Sequence, residues 1–242
     1  MVRTLAIQHI DQDSHFRWRG EHVTRIENLS DIVFALALGM IASASSPPTT
    51  FAGLNAHLIS IVPVAASFVV LLQIWNAHFV FFRRYNLADG RIVFLNACLL
   101  LLVLFIAYPV RFIFDSLFGY LLGVSGDWTR MRSMEITGFA DAARITAYFA
   151  AGLAVLQALI SMMYAHAYAR RETLDLDDKE RVITKREIWQ ARTEVVIALG
   201  AAAAALFTRL GPFAGFILFA NYLFEGLFRF VFPLEPRRPK TR

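Results

Sequence analysis

Six long apolar runs separated by short polar breaks limit this chain to a narrow set of folds. They lie at about 24–45, 56–82, 91–118, 138–167, 187–208 and 212–232. A helix crosses the hydrocarbon of a bilayer in about 20 residues, so each run is long enough to span as a helix. The breaks carry turn residues: Ser45-Ser46-Pro47-Pro48, Asp89-Gly90, Gly123-Val124-Ser125-Gly126 and Gly211-Pro212. With 57% hydrophobic and 18% charged residues, the composition departs in the same direction from soluble domains, which carry about a quarter charged residues. The expected fold is all-α: a polytopic membrane protein with six transmembrane helices in one unit, 24–232. A segment at 1–23 precedes it and a basic tail at 233–242 follows. No polar stretch is long enough for a separate soluble domain, and no internal repeat is visible.

The charges assign a direction. Arg3, Arg17 and Arg19, then Arg83, Arg84 and Arg91, then Arg170, Arg171, Lys179, Arg181, Lys185 and Arg186, and finally Arg237, Arg238, Lys240 and Arg242 flank one side of the runs. The other side has no cation at 44–57 and otherwise only Arg130, Arg132 and Arg209. The positive-inside rule puts both termini in the cytoplasm, in line with an even number of crossings. The same arrangement accounts for the net charge of +5 as membrane topology rather than nucleic-acid binding. The N-terminal stretch has no continuous apolar core with a small-residue cleavage site, so it does not read as a cleavable signal. Cys98 is the single cysteine, which excludes an intrachain disulfide.

No catalytic set emerges. There is no H-E-x-x-H, Walker loop, dinucleotide fingerprint or G-x-S-x-G, so no enzyme, cofactor or metal site is expected. His9, His15, His22 and His57 are scattered through terminal and loop regions. The acidic cluster near Asp175, Asp177 and Asp178 lacks the glycine and terminal glutamate of a calcium loop. The carbonyl filter sequence of ordinary potassium channels is also missing. The connection at 170–192 mixes charge signs and reads as a solvated helix extension.

Polar groups at membrane depth are the remaining functional candidates. They are Arg25, Ser30 and Asp31 in the first run, Trp75, Asn76 and His78 in the second, and Asn96 in the third. Gln157 and His166 follow in the fourth, and Asn221, Glu225 and Arg229 in the sixth. Glu225 and Arg229, four apart, are expected to pair with each other. Gln157 and His166 are expected to hydrogen-bond neighbouring helices. At about 100° per residue, Leu29, Val33, Leu36, Met40 and Ser43 share one face of the first helix. Asp31 lies about 140° from Leu36 in one sense and Ser30 about 120° in the other. If the apolar row lines something, Ser30 and Asp31 turn into the protein. Trp75 and His78, three apart on one helix face, can donate to them.

These residues carry a family resemblance. Arg25-Ile26-Glu27-Asn28-Leu29-Ser30-Asp31-Ile32-Val33-Phe34-Ala35-Leu36-Ala37 resembles the R-x-x-x-F-S-D-G-V-F-A-I-A signature of the transmembrane protein 175 family, the lysosomal potassium channels and their prokaryotic relatives. Trp75 and His78 (W-x-x-H), Arg83-Arg84, and Asp89, Arg91, Leu95 and Asn96 (D-x-R-x-x-x-L-N) continue the likeness through about residue 110. The resemblance implies a six-helix subunit of the prokaryotic type, four of which surround a pore lined by the first helix. It implies an apolar side-chain constriction at Leu36, Met40 and Ser43, the positions the helical wheel also places together. It further implies that Arg25, Ser30, Asp31, Trp75 and His78 form a hydrogen-bonded network bracing the pore helices. The chain departs from the signature at Leu29 and Ile32. It has Gly39-Met40-Ile41-Ala42-Ser43 where relatives continue with Thr and a Leu-rich turn, which makes for a softer, wetter constriction. Arg25 lies about 20° from Leu36 on the wheel, so a conducting pore needs it paired with an acid such as Glu21 or Asp31, or with a carbonyl.

The expected function is therefore a homotetrameric, potassium-permeable cation channel in the cell membrane, in a prokaryotic plasma membrane. Its partners would be the lipid bilayer, its own copies and monovalent cations, with potassium as the permeant ion and no cofactor. A proton-coupled or small-solute transporter using Asp31 and His78 as a relay is the alternative, although such proteins often show repeats and broken helices. A non-transporting membrane scaffold ranks third.

Overall fold

The computed structural model describes residues 16–20, 22–44, 47–136, 138–220, 228 and 231–232. Among them the regular structure is helical, with no strand. Helix α1 is Arg25–Ser43, α2 Phe51–Ile59, α3 Ile61–Tyr85, α4 Gly90–Val124, α5 Thr129–Ser133, α6 Phe139–Ala169 and α7 Asp178–Phe207. A 3-10 helix, Gly211–Phe219, follows. Among the described residues five stretches are long and apolar enough to cross a membrane: α1, the α2–α3 pair taken together (Phe51–Tyr85), α4, α6 and α7. This is a multi-pass helical membrane protein.

Local chemistry sets the boundaries. Thr24 and Glu27 form a capping box at α1: Glu27 N–H donates to Thr24 Oγ1 and Thr24 N–H to Glu27 Oε2. Asn86, in the left-handed region at φ 47°, closes α3 by donating its N–H to Phe82 O. Asp89 then caps α4 through Ile92 N–H at 3.1 Å. Asp177 and Glu180 make a second capping box, which starts α7 at Asp178. Of the connection at 170–192, residues 178–192 thus belong to the helix that carries the apolar run at 187–208, whereas 170–177 form a turn instead of the expected helix extension. The run at 212–232 differs from the expected α-helix through Phe219. Gly211 turns with φ +51° and Gly211–Phe219 winds as 3-10. An added Cβ at Gly211 would lie 2.1 Å from the Phe139 ring, so glycine is required there for close approach as well as for φ. Residues 1–15, 221–227, 229–230 and 233–242 are outside the described residues. With them go the readings of His9, His15, Asn221, Glu225 and Arg229 and of the basic tail.

The helices form two groups. Helices α1, α3 and α4 pack on one another, α6 and α7 pack with the 3-10 helix, and α4 against α6 joins the groups. Among the described residues the α6–α7 contact is the most extensive. Ala143, Ala147, Ala150 and Ala154 of α6 are buried, as are Ala191, Ala198, Ala201 and Ala205 of α7, and Ala147 and Ala205 meet Ala214 of the 3-10 helix. Small side chains let helix backbones approach closely, which is how helices associate in lipid. Contacts of Glu27 with Arg83, Asp89 with His166, and Tyr85 with Thr184 gather the α1 start, α3 end, α4 start, α6 end and α7 start at one end of the bundle. At the opposite end Arg111 pairs with Asp115 at 2.8 Å, and Arg130 reaches the same carboxylate.

Candidate functional site

The buried stripe of α1 is Glu27, Ser30, Phe34, Ala37 and Ile41, at the three- and four-residue spacing of a core-facing helix. The opposite face looks away from the subunit. Leu29 and Leu36 are each 56% exposed and Ile32 66%, and Arg25 and Ser43 are exposed as well. Val33 and Met40 are half-buried against the core, so Met40 sits on the shoulder of the face that Leu36 occupies squarely. The Ser43 hydroxyl donates to Gly39 O at 2.8 Å. That bond uses its hydrogen and leaves its oxygen lone pairs on the exposed side.

Behind this face lies a directed chain of hydrogen bonds. Ser30 Oγ donates to Ile26 O at 2.8 Å and accepts from Asn96 Nδ2 at 3.0 Å. Asn96 Oδ1 is then the acceptor for His78 Nε2 at 2.8 Å, so the histidine carries a proton on that nitrogen. Ser30, Asn96 and His78 are all buried. Satisfying their polar atoms mutually is what makes three such groups tolerable between α1, α3 and α4. The indole Nε1 of Trp75 donates to Asp31 Oδ1 at 2.8 Å on the exposed flank of α1.

This arrangement differs in detail from direct bonds of both Trp75 and His78 to Asp31 or Ser30. Trp75 takes Asp31, whereas Asn96 stands between His78 and Ser30. Asp31 stays exposed, and Asp31 and His78 share no hydrogen bond. Arg25 makes no side-chain hydrogen bond or ion pair among the described residues, and Glu21, one acid considered for it, lies outside them. Asn96 is visible in the sequence as a polar residue at membrane depth. Its two-sided amide, able to donate one way and accept the other, is the signal for a bridge.

Gln157 and His166 are also paired, whereas Asn76 is exposed. Gln157 Nε2 donates to Glu194 Oε2, and Gln190 Nε2 to the other oxygen at 3.4 Å. His166 Nε2 meets Asp89 Oδ2 at 2.6 Å, with Arg170 3.4 Å from the same oxygen. Hydrogen bonding from His166 chiefly, and from Ile92 N–H, holds the Asp89 carboxyl below its ordinary value, outweighing partial desolvation. The sequence sign for Glu194 is a lone acid in the apolar part of α7, four after Gln190. Among the described residues no three His, Cys, Asp or Glu side chains gather as a metal site.

Comparison with known proteins places this geometry in context. The profile of the family described as "Endosomal/lysosomal potassium channel TMEM175" matches residues 25–107, the stretch that holds the whole network. A potassium channel of Marivirga tractuosa is 31% identical over 178 residues, covering 72% of this chain and 71% of that protein. The chain belongs to the TMEM175 family. The crystal structure of a variant of the potassium channel MtTMEM175, in complex with a nanobody fusion, superposes with a TM-score of 0.76 at 28% identity. It covers 90% of this chain and 95% of that one. A lysosomal potassium-selective channel TMEM175 homolog from Chamaesiphon minutus shares the fold, with a TM-score of 0.53 at 21% identity over 87% of this chain and 97% of its own. TMEM175 proteins are channels rather than enzymes.

Proposed function

We propose that this chain is a potassium-permeable cation channel. Four copies surround a pore lined by α1, with both termini of each subunit cytoplasmic and a sixth crossing over 212–232. The reading extends to a multi-pass protein of a prokaryotic plasma membrane. The single observation that carries it is the two-sidedness of α1. One face is fastened into the subunit through Ser30, Asn96 and His78. The other carries Leu36 and Ser43, exposed and unfastened to other helices. Membership of a family of potassium channels and the likeness to MtTMEM175 support the same reading.

In this arrangement Leu36 supplies the apolar ring, Met40 narrows it from the shoulder, and Ser43 offers hydroxyl oxygen to a cation on the outer side. An apolar ring gates by expelling water. Shrinking it admits water and with it a less discriminating current. Reconstituted protein is therefore expected to pass discrete potassium currents in planar bilayers, and Leu36→Ala to raise unitary conductance while lowering the preference for potassium over sodium. Proton-coupled exchange without unitary currents would overturn the proposal in favour of a transporter. The hydrogen bonding of His78 to Asn96, and of Asp31 to Trp75 instead of His78, speaks against that second reading.

A further inference from the structure

Residues 16–20 form a strap that crosses the basic end of the bundle before α1 begins, and its side chains are unusually committed. The guanidinium of Arg19 forks onto Glu180, at 3.0 Å to Oε1 and 2.6 Å to Oε2. Nε donates to Leu174 O at 2.8 Å and Nη2 also to Asp175 O at 2.9 Å in the α6–α7 turn, while Nη1 also reaches Arg17 O at 3.1 Å and, at 3.4 Å, Arg84 O at the end of α3. Glu180 is 2% exposed and also accepts the Arg17 N–H at 2.7 Å. Bidentate arginine–carboxylate pairs are among the strongest and most geometrically exacting hydrogen bonds in proteins. Arg17 and Arg19 thus fix the strap to the α6–α7 turn and the first turn of α7.

On the pore side the strap is fixed chiefly by its backbone, beside the long Arg19 Nη1 contact to Arg84 O. Arg19 and Gly20 both donate their backbone N–H to Arg83 O, at 2.9 and 3.1 Å, satisfying a carbonyl at the end of α3 that the helix leaves open. Arg83 returns a bond to Gly20 O at 2.7 Å and faces Glu27 of the α1 capping box at 3.9 Å. An added Cβ at Gly20 would lie 3.0 Å from Phe82 O, so the strap lies flush on the α3 backbone. Trp18 packs edge-on against Phe79, Phe79 stacks on Trp75 at 5.6 Å, and Trp75 holds Asp31 of α1.

We propose that Arg19 and Glu180 are positioning residues for conduction: through the strap they couple the α6–α7 turn to the first turns of the pore-lining helix. This rests on the channel reading given above. A change in the turn that pulls on Glu180 is transmitted to α1 along two routes, Arg83 to Glu27 and Trp18 to Asp31. Neither route touches the ion path, so the pair governs how long the pore is open rather than how fast ions cross it.

The test uses the full chain in planar bilayers, with Arg19→Ala, Arg19→Lys, Glu180→Gln and the Arg19→Ala/Glu180→Gln double variant. Each single variant is expected to change open probability by about 5- to 150-fold, the span of ordinary coupling free energies, at wild-type unitary conductance. The double variant is expected to go no further than the more affected single. Arg19→Lys keeps the charge but loses the fork, and so serves if the alanine variant fails to assemble. Arg144→Ala, which removes an exposed ion pair with Asp141, is expected to leave gating alone. Altered unitary conductance, unchanged open probability, or additive effects in the double variant would overturn the proposal. Amide hydrogen exchange in detergent reads the coupling without any current. Faster exchange at Asn28 to Asp31 in the Arg19 and Glu180 variants supports it, whereas loosening confined to the α7 start overturns it. A wild-type chain that carries no potassium current defeats the channel reading, and exchange at α1 then still decides whether the strap couples.

Discussion

Asn96 holds both ends of the chain that fastens α1, and replacing it isolates two partners at once. Asn96→Ala leaves the His78 Nε2–H and the Ser30 oxygen without their partners in a buried site, costing about 1–3 kcal/mol for each group that stays unsatisfied. Trp75→Phe removes one bond to a carboxylate that water already reaches, worth about 0.5–1.5 kcal/mol. Thermal melting in detergent is therefore expected to rank Asn96→Ala well below Trp75→Phe, and the reverse order would show that Asp31 rather than Ser30 anchors the helix. At this scale the sequence reveals which residues matter better than which atoms meet. The family-like spacing flags Ser30, Asp31, Trp75, His78 and Asn96. Helical geometry, however, fixes only the face a residue occupies, and the choice between Asn96 and Ser30 as partner of His78 depends on how α3 and α4 rotate against α1. The pairing of Arg19 with Glu180 is not legible in the sequence, because the two are far apart along the chain and neither belongs to a periodic pattern.

Helix ends were more legible than helix contacts. Asp-Gly at 89–90 marks the start of α4 correctly, and the structure shows why: the Asp89 carboxylate caps Ile92 N–H while His166 and Arg170 of the α6 end converge on it. A carboxyl held below its ordinary value of 3.8 contributes stability that is complete above that value and is lost as pH falls through the lowered one. Melting temperature is thus expected to drop as the medium is acidified below about pH 4, and Asp89→Asn to flatten that part of the profile while lowering stability near neutrality. A profile unchanged by the substitution would mean that His166 and Arg170 do not act through Asp89. The α7 start was the less legible boundary. Hydropathy locates where a helix enters lipid, but the capping box at Asp177 and Glu180 sets where it begins, about nine residues earlier at 1.5 Å per residue.

At the scale of the whole molecule, the α1, α3 and α4 group carries the family match and the α6–α7 group supports it. Four copies with α1 at the axis would place four Arg25 side chains around one mouth. Charges in such a ring repel cations through water, and salt screens the effect, the Debye length falling from about 10 Å at 0.1 M to 3 Å at 1 M. Arg25→Gln is accordingly expected to raise potassium conductance at low ionic strength and to make little difference at 1 M. An equal ratio at both salt concentrations would place Arg25 away from the axis. The alanine seam between α6 and α7 has a separate consequence, for biogenesis. Two helices that meet through methyl groups need no bulky partner to complete their contact. They can close on each other as a hairpin as soon as both have left the translocon, giving the earlier-made α1, α3 and α4 a finished wall to settle against.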